Sequence, residues 1–144
     1  MRNPLPFVLL PALFALAACG GADATGPGDV AGTYNLQTIN DSTLPRTTSE
    51  SATHKVEVLA SAITLKGDGT YTWVQTTRTT DNGTATTTTD TYSDTFSVKG
   101  SSITLGKSSG PVSFVSFTDI RIAGDTLTMT IVSLPVIVIL VFKR

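Results

Sequence analysis

Several residue types that usually carry chemistry are scarce in this chain. Its 144 residues include one cysteine and one histidine, and only 15% are charged, with a formal net charge of −1. A single cysteine excludes a disulfide within the chain, and the balanced charge offers no basic surface for nucleic acid. Zinc and copper sites need several histidine or cysteine ligands. We therefore expect no nucleic-acid partner, no metal and no cofactor.

The groups that remain are poorly spaced for catalysis. His54 and Glu57 are three residues apart, so on a strand they point to opposite faces and cannot form a dyad. Asp90 and Asp94 share a face of a predicted strand, as paired carboxylates in a glycosidase must, but their Thr-rich surroundings indicate a solvated strand. We predict no catalytic residues and expect that the chain is not an enzyme.

The first residues are typical of an export signal. Arg2 gives a short positive start, and residues 4–18 carry no charge. As a helix, about 15 apolar residues span roughly 22 Å, less than the ~30 Å hydrocarbon core of a bilayer. The pattern predicts an exported chain rather than a membrane-spanning helix.

Leu16-Ala17-Ala18-Cys19 follows this apolar stretch directly. It resembles the lipobox of bacterial lipoproteins, in which a lipid such as palmitate is attached to the cysteine and a peptidase cleaves before it. The resemblance implies a signal peptide at 1–18 and a mature chain anchored in the lipid bilayer through acylated Cys19. An ordinary signal peptide with a chance cysteine is the alternative. Because Gly20, not Asp, follows Cys19, we expect the periplasmic face of the outer membrane of the cell envelope rather than the inner membrane.

Two further regions follow the cysteine. Residues 19–30 have no hydrophobic period, which predicts a flexible tether. From residue 31 to residue 144, apolar and polar residues alternate, as at Tyr71 and Trp73 between threonines. This period of two predicts strands with one face in a core, so we expect a single β domain at 31–144.

Turn signals rich in Gly, Asn and Asp separate the alternating segments, at 67–69, 81–83, 99–101 and 123–125. We predict eight strands at residues 32–39, 53–66, 69–80, 84–98, 101–106, 112–123, 125–133 and 135–143. Short connections make sequential strands antiparallel neighbours. The predicted fold is all-β, an antiparallel up-and-down meander of about eight strands that closes, or half closes, into a barrel.

Gly32-Thr33-Tyr34 resembles the opening of the lipocalins, where a glycine and an aromatic start the first strand and a basic residue from the barrel's end packs over that aromatic. Residues 65–71 and 124–128 are similar to hairpins of bacterial lipocalin-like lipoproteins of unassigned role. The resemblance implies a lipocalin-like barrel in which Gly32, Tyr34 and Arg144 are structural. It also implies that Arg144 or Lys143 stacks on Tyr34.

The resemblance further implies a small hydrophobic ligand. The strand aromatics are the candidate ligand-binding residues: Tyr71, Trp73, Phe96 and Phe114. An eight-stranded barrel can hold one small ligand or be filled by its own side chains. Two functions therefore stay open, a ligand-binding envelope lipoprotein and a structural or interaction lipoprotein with a filled core and no ligand. The sequence identifies no protein partner.

Two segments stand out within the domain. The Thr-rich hairpin at 76–91 has little apolar surface on either face, so we expect it to project beyond the core as an exposed edge or as a flap over a barrel mouth. The segment at 131–142 is apolar except for Ser133. It predicts either a closing strand covered on both faces or an outward apolar stripe that meets a partner or the bilayer, with Pro135 between two strands.

Overall fold

The computed structural model describes residues 26–106, 117–133 and 135–144, and gives only the backbone for 117, 118 and 133. The predicted signal peptide, Cys19, Phe114 and the first part of the strand predicted at 112–123 lie outside these residues. A short 3₁₀ helix, Pro27–Val30, precedes ten strands. The strands are β1 Gly32–Ile39, β2 Ser42–Thr43, β3 Arg46–Glu50, β4 His54–Leu65, β5 Thr70–Asp81, β6 Thr84–Lys99, β7 Ser102–Leu105, β8 Phe117–Ala123, β9 Thr126–Ser133 and β10 Val136–Lys143.

Eight of these strands form a closed antiparallel barrel, which confirms the predicted fold class and is consistent with a lipocalin-like fold. From β4 to β10 each strand pairs with the next. Strand β1 closes the ring because its first half, residues 32–35, pairs with β4 and its second half, residues 35–39, pairs with β10. Closure leaves both long sides of β1 hydrogen-bonded, which removes the exposed edges of an open sheet.

Strands β2 and β3 were not predicted, because residues 40–52 are polar and show no alternation. They form in the half of the barrel where β1 and β4 no longer pair with each other. Strand β2 pairs with the end of β1, and β3 pairs with the first part of β4. Their strand conformation is therefore imposed by neighbouring backbone rather than by a buried face of their own.

The tight turns lie where the sequence predicts them. Gly69, Gly100 and Gly124 all have positive φ, between 57° and 82°. Both central residues of the β5–β6 turn also have positive φ, 47° at Asn82 and 84° at Gly83. This conformation matches the twist of the flanking strands, and Asn-Gly adopts it at low cost.

The core fills the end of the barrel where β1 begins. Tyr34, Met129 and Phe142 are completely buried there, and each large apolar side chain removed from water contributes about 1.5–3 kcal/mol. All members of the hydrophobic core among the described residues lie between Val30 and Phe142.

The 3₁₀ helix caps this closed end. The expected tether extended to residue 30, but Val30 is only 2% exposed and packs in the core. The Val30 carbonyl accepts a hydrogen bond from the Tyr34 hydroxyl at 2.8 Å. Proline at the start of the helix and a buried valine at its end fix this segment onto the barrel, so the ordered domain begins before residue 31.

Candidate functional site

The opposite end of the barrel is hollow. A cavity of about 410 Å³ lies between β1, β4, β5, β6, β9 and β10 and the added strand β3. Its volume falls in the ~300–1,000 Å³ range of small-molecule sites. The apolar lining consists of Leu36, Ile39, Val56, Val58, Trp73, Ile131, Val138 and Leu140.

One side of the cavity is polar. Gln75 and Thr77 extend from β5, and Asp90 extends from β6 directly opposite Gln75 in the β5–β6 ladder. Thr48 from β3 and Ser61 from β4 complete this side. Strands β1, β9 and β10 contribute only apolar residues to the described lining, so the polar groups are confined to the side formed by β3–β6, where they lie among Val56, Val58 and Trp73.

Trp73 is the predicted ligand-binding residue that the structure places in the cavity. Its indole N–H donates to the Ser61 hydroxyl at 2.7 Å, and the side chain is 2% exposed. This bond satisfies the indole and fixes the ring, because Ser61 points inward from the neighbouring strand. A rigid aromatic surface therefore lies at the inner part of the cavity.

The other predicted ligand-binding residues are not brought to this site. Tyr71 and Phe96 are buried in the core and do not line the cavity. Burial raises the pKa of the Tyr71 hydroxyl, and the nearby Asp94 charge adds to the shift. Phe114 lies outside the described residues. The alternation of apolar and polar residues predicts that Tyr71 and Phe96 face the inside of the barrel, but it does not predict which half of the barrel is hollow.

The three residues predicted to be structural meet at the closed end. The Arg144 guanidinium carbon lies 5.6 Å from the centre of the Tyr34 ring, the stacking that the sequence resemblance implies. Arg144 also donates to the carbonyl of Ala31 at 3.0 Å and to the Asp125 carboxylate at 3.1 Å. Gly32 has φ +155°, and a Cβ there would come within 2.6 Å of Arg144 Cδ. Glycine is required so that the arginine can cross β1.

His54 has a carboxylate partner that its sequence neighbourhood did not reveal. Asp81, its register partner on β5, lies 2.5 Å from Nδ1 at the rim of the mouth. The Ser51 hydroxyl contacts the backbone of His54, accepting from its N–H at 3.2 Å. The serine is thus held by the main chain, and the His54–Asp81 pair ties β4 to β5. Within the described ranges, no three His, Cys, Asp or Glu residues come close enough to hold a metal ion.

Glu57 is the one buried acidic residue in the described part of the chain. On the outer face of the sheet, its carboxylate accepts from Lys55 at 3.0 Å and from Arg78 at 2.8 and 2.9 Å. Hydrogen bonds from Lys55 and then Arg78 lower the pKa of Glu57 below its ordinary value. The Arg78–Glu57 ion pair joins β4 to β5 behind the cavity wall, whereas the Lys55–Glu57 pair lies within β4.

The outer face of β10 is apolar and uncovered by the described residues. Ile137 is 55% exposed and Ile139 is 41% exposed, and Val136 is exposed at the start of the strand. The exposure within the described residues fits the outward stripe of the two alternatives, but residues 19–25 of the tether, which the other alternative places over this face, lie outside the described residues. Pro135 separates β9 from β10. The described residues contain no helix that is long and apolar enough to cross a membrane.

No protein-family profile, curated protein or solved structure matches this chain. The site is therefore interpreted from its own geometry. A closed barrel with one capped, filled end and one hollow end, whose polar lining groups are confined to one side, is compatible with a binding domain.

Proposed function

We propose that this chain is an envelope lipoprotein, anchored in the bilayer through acylated Cys19, whose lipocalin-like barrel binds a small hydrophobic ligand at its open end. The observation that carries the binding role is the cavity of about 410 Å³ with its apolar wall and inward Trp73. Burying apolar ligand surface against such a wall contributes about 25 cal/mol per Å² before the costs of binding. The proposal assigns no reaction to the chain.

Native mass spectrometry tests the binding role. Residues 21–144 are purified under mild conditions from the organism that makes the protein, and the intact mass is compared with that of the protein after denaturation. We expect a bound molecule of a few hundred daltons that is released on denaturation. An apo mass, together with no change in Trp73 fluorescence on adding dodecanol or dodecanoate, contradicts the proposal.

The anchor rests on the lipobox-like residues 16–19 and on Cys19 being the sole cysteine. The full chain and its Cys19→Ala variant are expressed in a bacterium and fractionated. We expect the unaltered chain to lose residues 1–18, gain acyl mass on Cys19 and sediment with membranes, since two or three acyl chains bind a bilayer firmly. The variant should gain no acyl mass. An unacylated mature protein contradicts the anchor and leaves the binding role standing.

A second function, a structural or interaction lipoprotein without ligand, is supported by exposed Ile137 and Ile139 on β10. The same two experiments distinguish the functions, because a ligand-free interaction protein retains no small molecule and takes up none. In that case the acylated anchor would still be found.

A further inference from the structure

The cavity lining contains one ionisable side chain among the described residues, the carboxylate of Asp90. Asp90 is half-buried and stands opposite Gln75, so both side chains face the same space. Neither side chain has a hydrogen-bond or ion-pair partner elsewhere in the described chain. A partly buried carboxylate without a cation attracts positive charge more strongly than a fully solvated one does.

The described cationic side chains do not supply that partner. Arg78 points to the outer face and is paired with Glu57. His54 is paired with Asp81 at the rim. Arg46 lies opposite Val58 on the inner face of the sheet, but it is exposed and does not line the cavity. Among the described residues, nothing compensates the negative charge of Asp90 on the inner surface of the mouth.

We infer that the open end selects amphiphiles with a cationic head, an amine or quaternary ammonium, and disfavours fatty-acid anions. This rests on the proposed binding function and names its ligand class. The hydrocarbon part packs between Trp73 and the apolar residues of β1, β9 and β10, and the head lies beside Asp90 and Gln75. A fatty-acid carboxylate in the same position would meet a like charge and no cation in the part of the lining that the structure describes.

Trp73 gives a direct measurement because it is the only tryptophan in the chain and it lines the cavity. Its fluorescence is titrated in residues 21–144 with three probes of equal chain length, dodecyltrimethylammonium, dodecanol and dodecanoate, below their micelle concentrations and at low salt. We expect the ammonium probe to bind at least about tenfold more tightly than dodecanoate, with dodecanol between them. Raising the ionic strength should reduce this ratio.

Asp90→Asn keeps the shape of the side chain and removes its charge, and should bring the ammonium-to-dodecanoate ratio to within about threefold. Asp94→Asn is the matched control. Asp94 is on the same strand and the same face but outside the cavity lining, so the ratio should keep its unaltered value. Arg46→Gln should likewise leave dodecanoate binding unchanged.

The outcomes separate the two proposals. If the three probes bind equally, or if Asp90→Asn leaves the ratio unchanged, charge selection is overturned and the binding function stands. If dodecanoate binds more tightly than the ammonium probe, charge selection is also overturned. If none of the three changes Trp73 fluorescence, the proposed binding function fails and the ligand class fails with it.

Discussion

Tyr34 is the residue at which the closed end of the barrel is held together. Its ring is completely buried under Arg144, and its hydroxyl donates to Val30 of the 3₁₀ helix. Burial raises the pKa of this hydroxyl. One side chain therefore joins the first strand, the capping helix and the last residue of the chain.

A double-mutant cycle measures the stacking of Arg144 on Tyr34. The unfolding free energies of the unaltered domain, Tyr34→Leu, Arg144→Ala and the double variant are measured in urea. We expect the losses to be non-additive by about 0.5–2 kcal/mol, because each single substitution already removes the cation–π contact. Lys143→Ala replaces Arg144→Ala in a control cycle that should be additive. Additive losses with Arg144→Ala would show that the contact contributes nothing to stability.

Glu57 makes the stability of the barrel depend on pH. Its pKa in the folded chain lies below the ordinary value of 4.5, so its ion pairs contribute fully above that value and are lost as pH falls through the folded pKa. We expect Glu57→Gln to lower the urea midpoint at pH 7 and to have a smaller effect toward pH 2, because protonation of the folded carboxylate removes the ion pairs. Glu50→Gln, an exposed glutamate on β3, is the control. If Glu57→Gln lowers the urea midpoint equally at both pH values, the ion pairs of Glu57 are not the source of the pH dependence of stability.

At the residue scale, sequence reasoning drew on the resemblance to lipocalins, which implied that Arg144 or Lys143 stacks on Tyr34; Arg144 is the residue that lies over the ring. Sequence reasoning missed the His54–Asp81 pair, because the partners are 27 residues apart and meet only through the β4–β5 register. Register depends on where a strand bulges, as β4 does between Val58 and Ala60, and one extra residue changes every facing pair.

Buried and exposed side chains alternate along β10, although the sequence of this strand is almost entirely apolar. Leu140 and Phe142 are buried while Ile137 and Ile139 are exposed. Ile139→Thr should change the unfolding free energy by less than about 0.5 kcal/mol, because an exposed side chain loses little on truncation. Leu140→Ala, one residue away, should cost about 2–4 kcal/mol. Both are measured by urea unfolding of residues 21–144. A large loss at Ile139 would show that something covers this face.

At the element scale, strands with a buried face were predictable and strands without one were not. Strands β4, β5, β9 and β10 were located within about two residues, because alternation and turn residues agree. Strand β3 was missed because Arg46–Glu50 is polar throughout and is held only by hydrogen bonds to β4. The Thr-rich hairpin is likewise stabilised by neighbouring backbone: β4 pairs with β5 to its end at Asp81, and Thr77 lines the cavity.

At the scale of the molecule, the two ends differ because β1 changes neighbours. Near the 3₁₀ helix, β1 lies directly beside β4, and an eight-stranded ring is narrow enough for side chains to fill. Beyond residue 35, β1 and β4 no longer pair with each other; β2 pairs with the end of β1, and β3 pairs with the first part of β4. The separation of β1 from β4 widens this half, and its Thr, Val and Ser side chains leave the cavity of about 410 Å³ unfilled. One half of the barrel is filled and the other half is hollow, so neither of the two alternatives that the sequence left open describes the whole barrel.

Two substitutions on β4 that enlarge a side chain test whether one half of the barrel is filled and the other half is hollow. Val58 lines the cavity, whereas Leu65 is buried at the filled end. Leu65→Phe should cost about 1–3 kcal/mol, because a packed core accommodates extra volume only through strain. Val58→Phe has space to enter, so its unfolding free energy in urea should stay within about 1 kcal/mol of the unaltered domain or rise above it. The same variant should weaken dodecanol binding measured by Trp73 fluorescence, since the new ring occupies the site. Equal losses from the two substitutions would mean that the open half is as tightly packed as the closed half, and that no room for a ligand exists there.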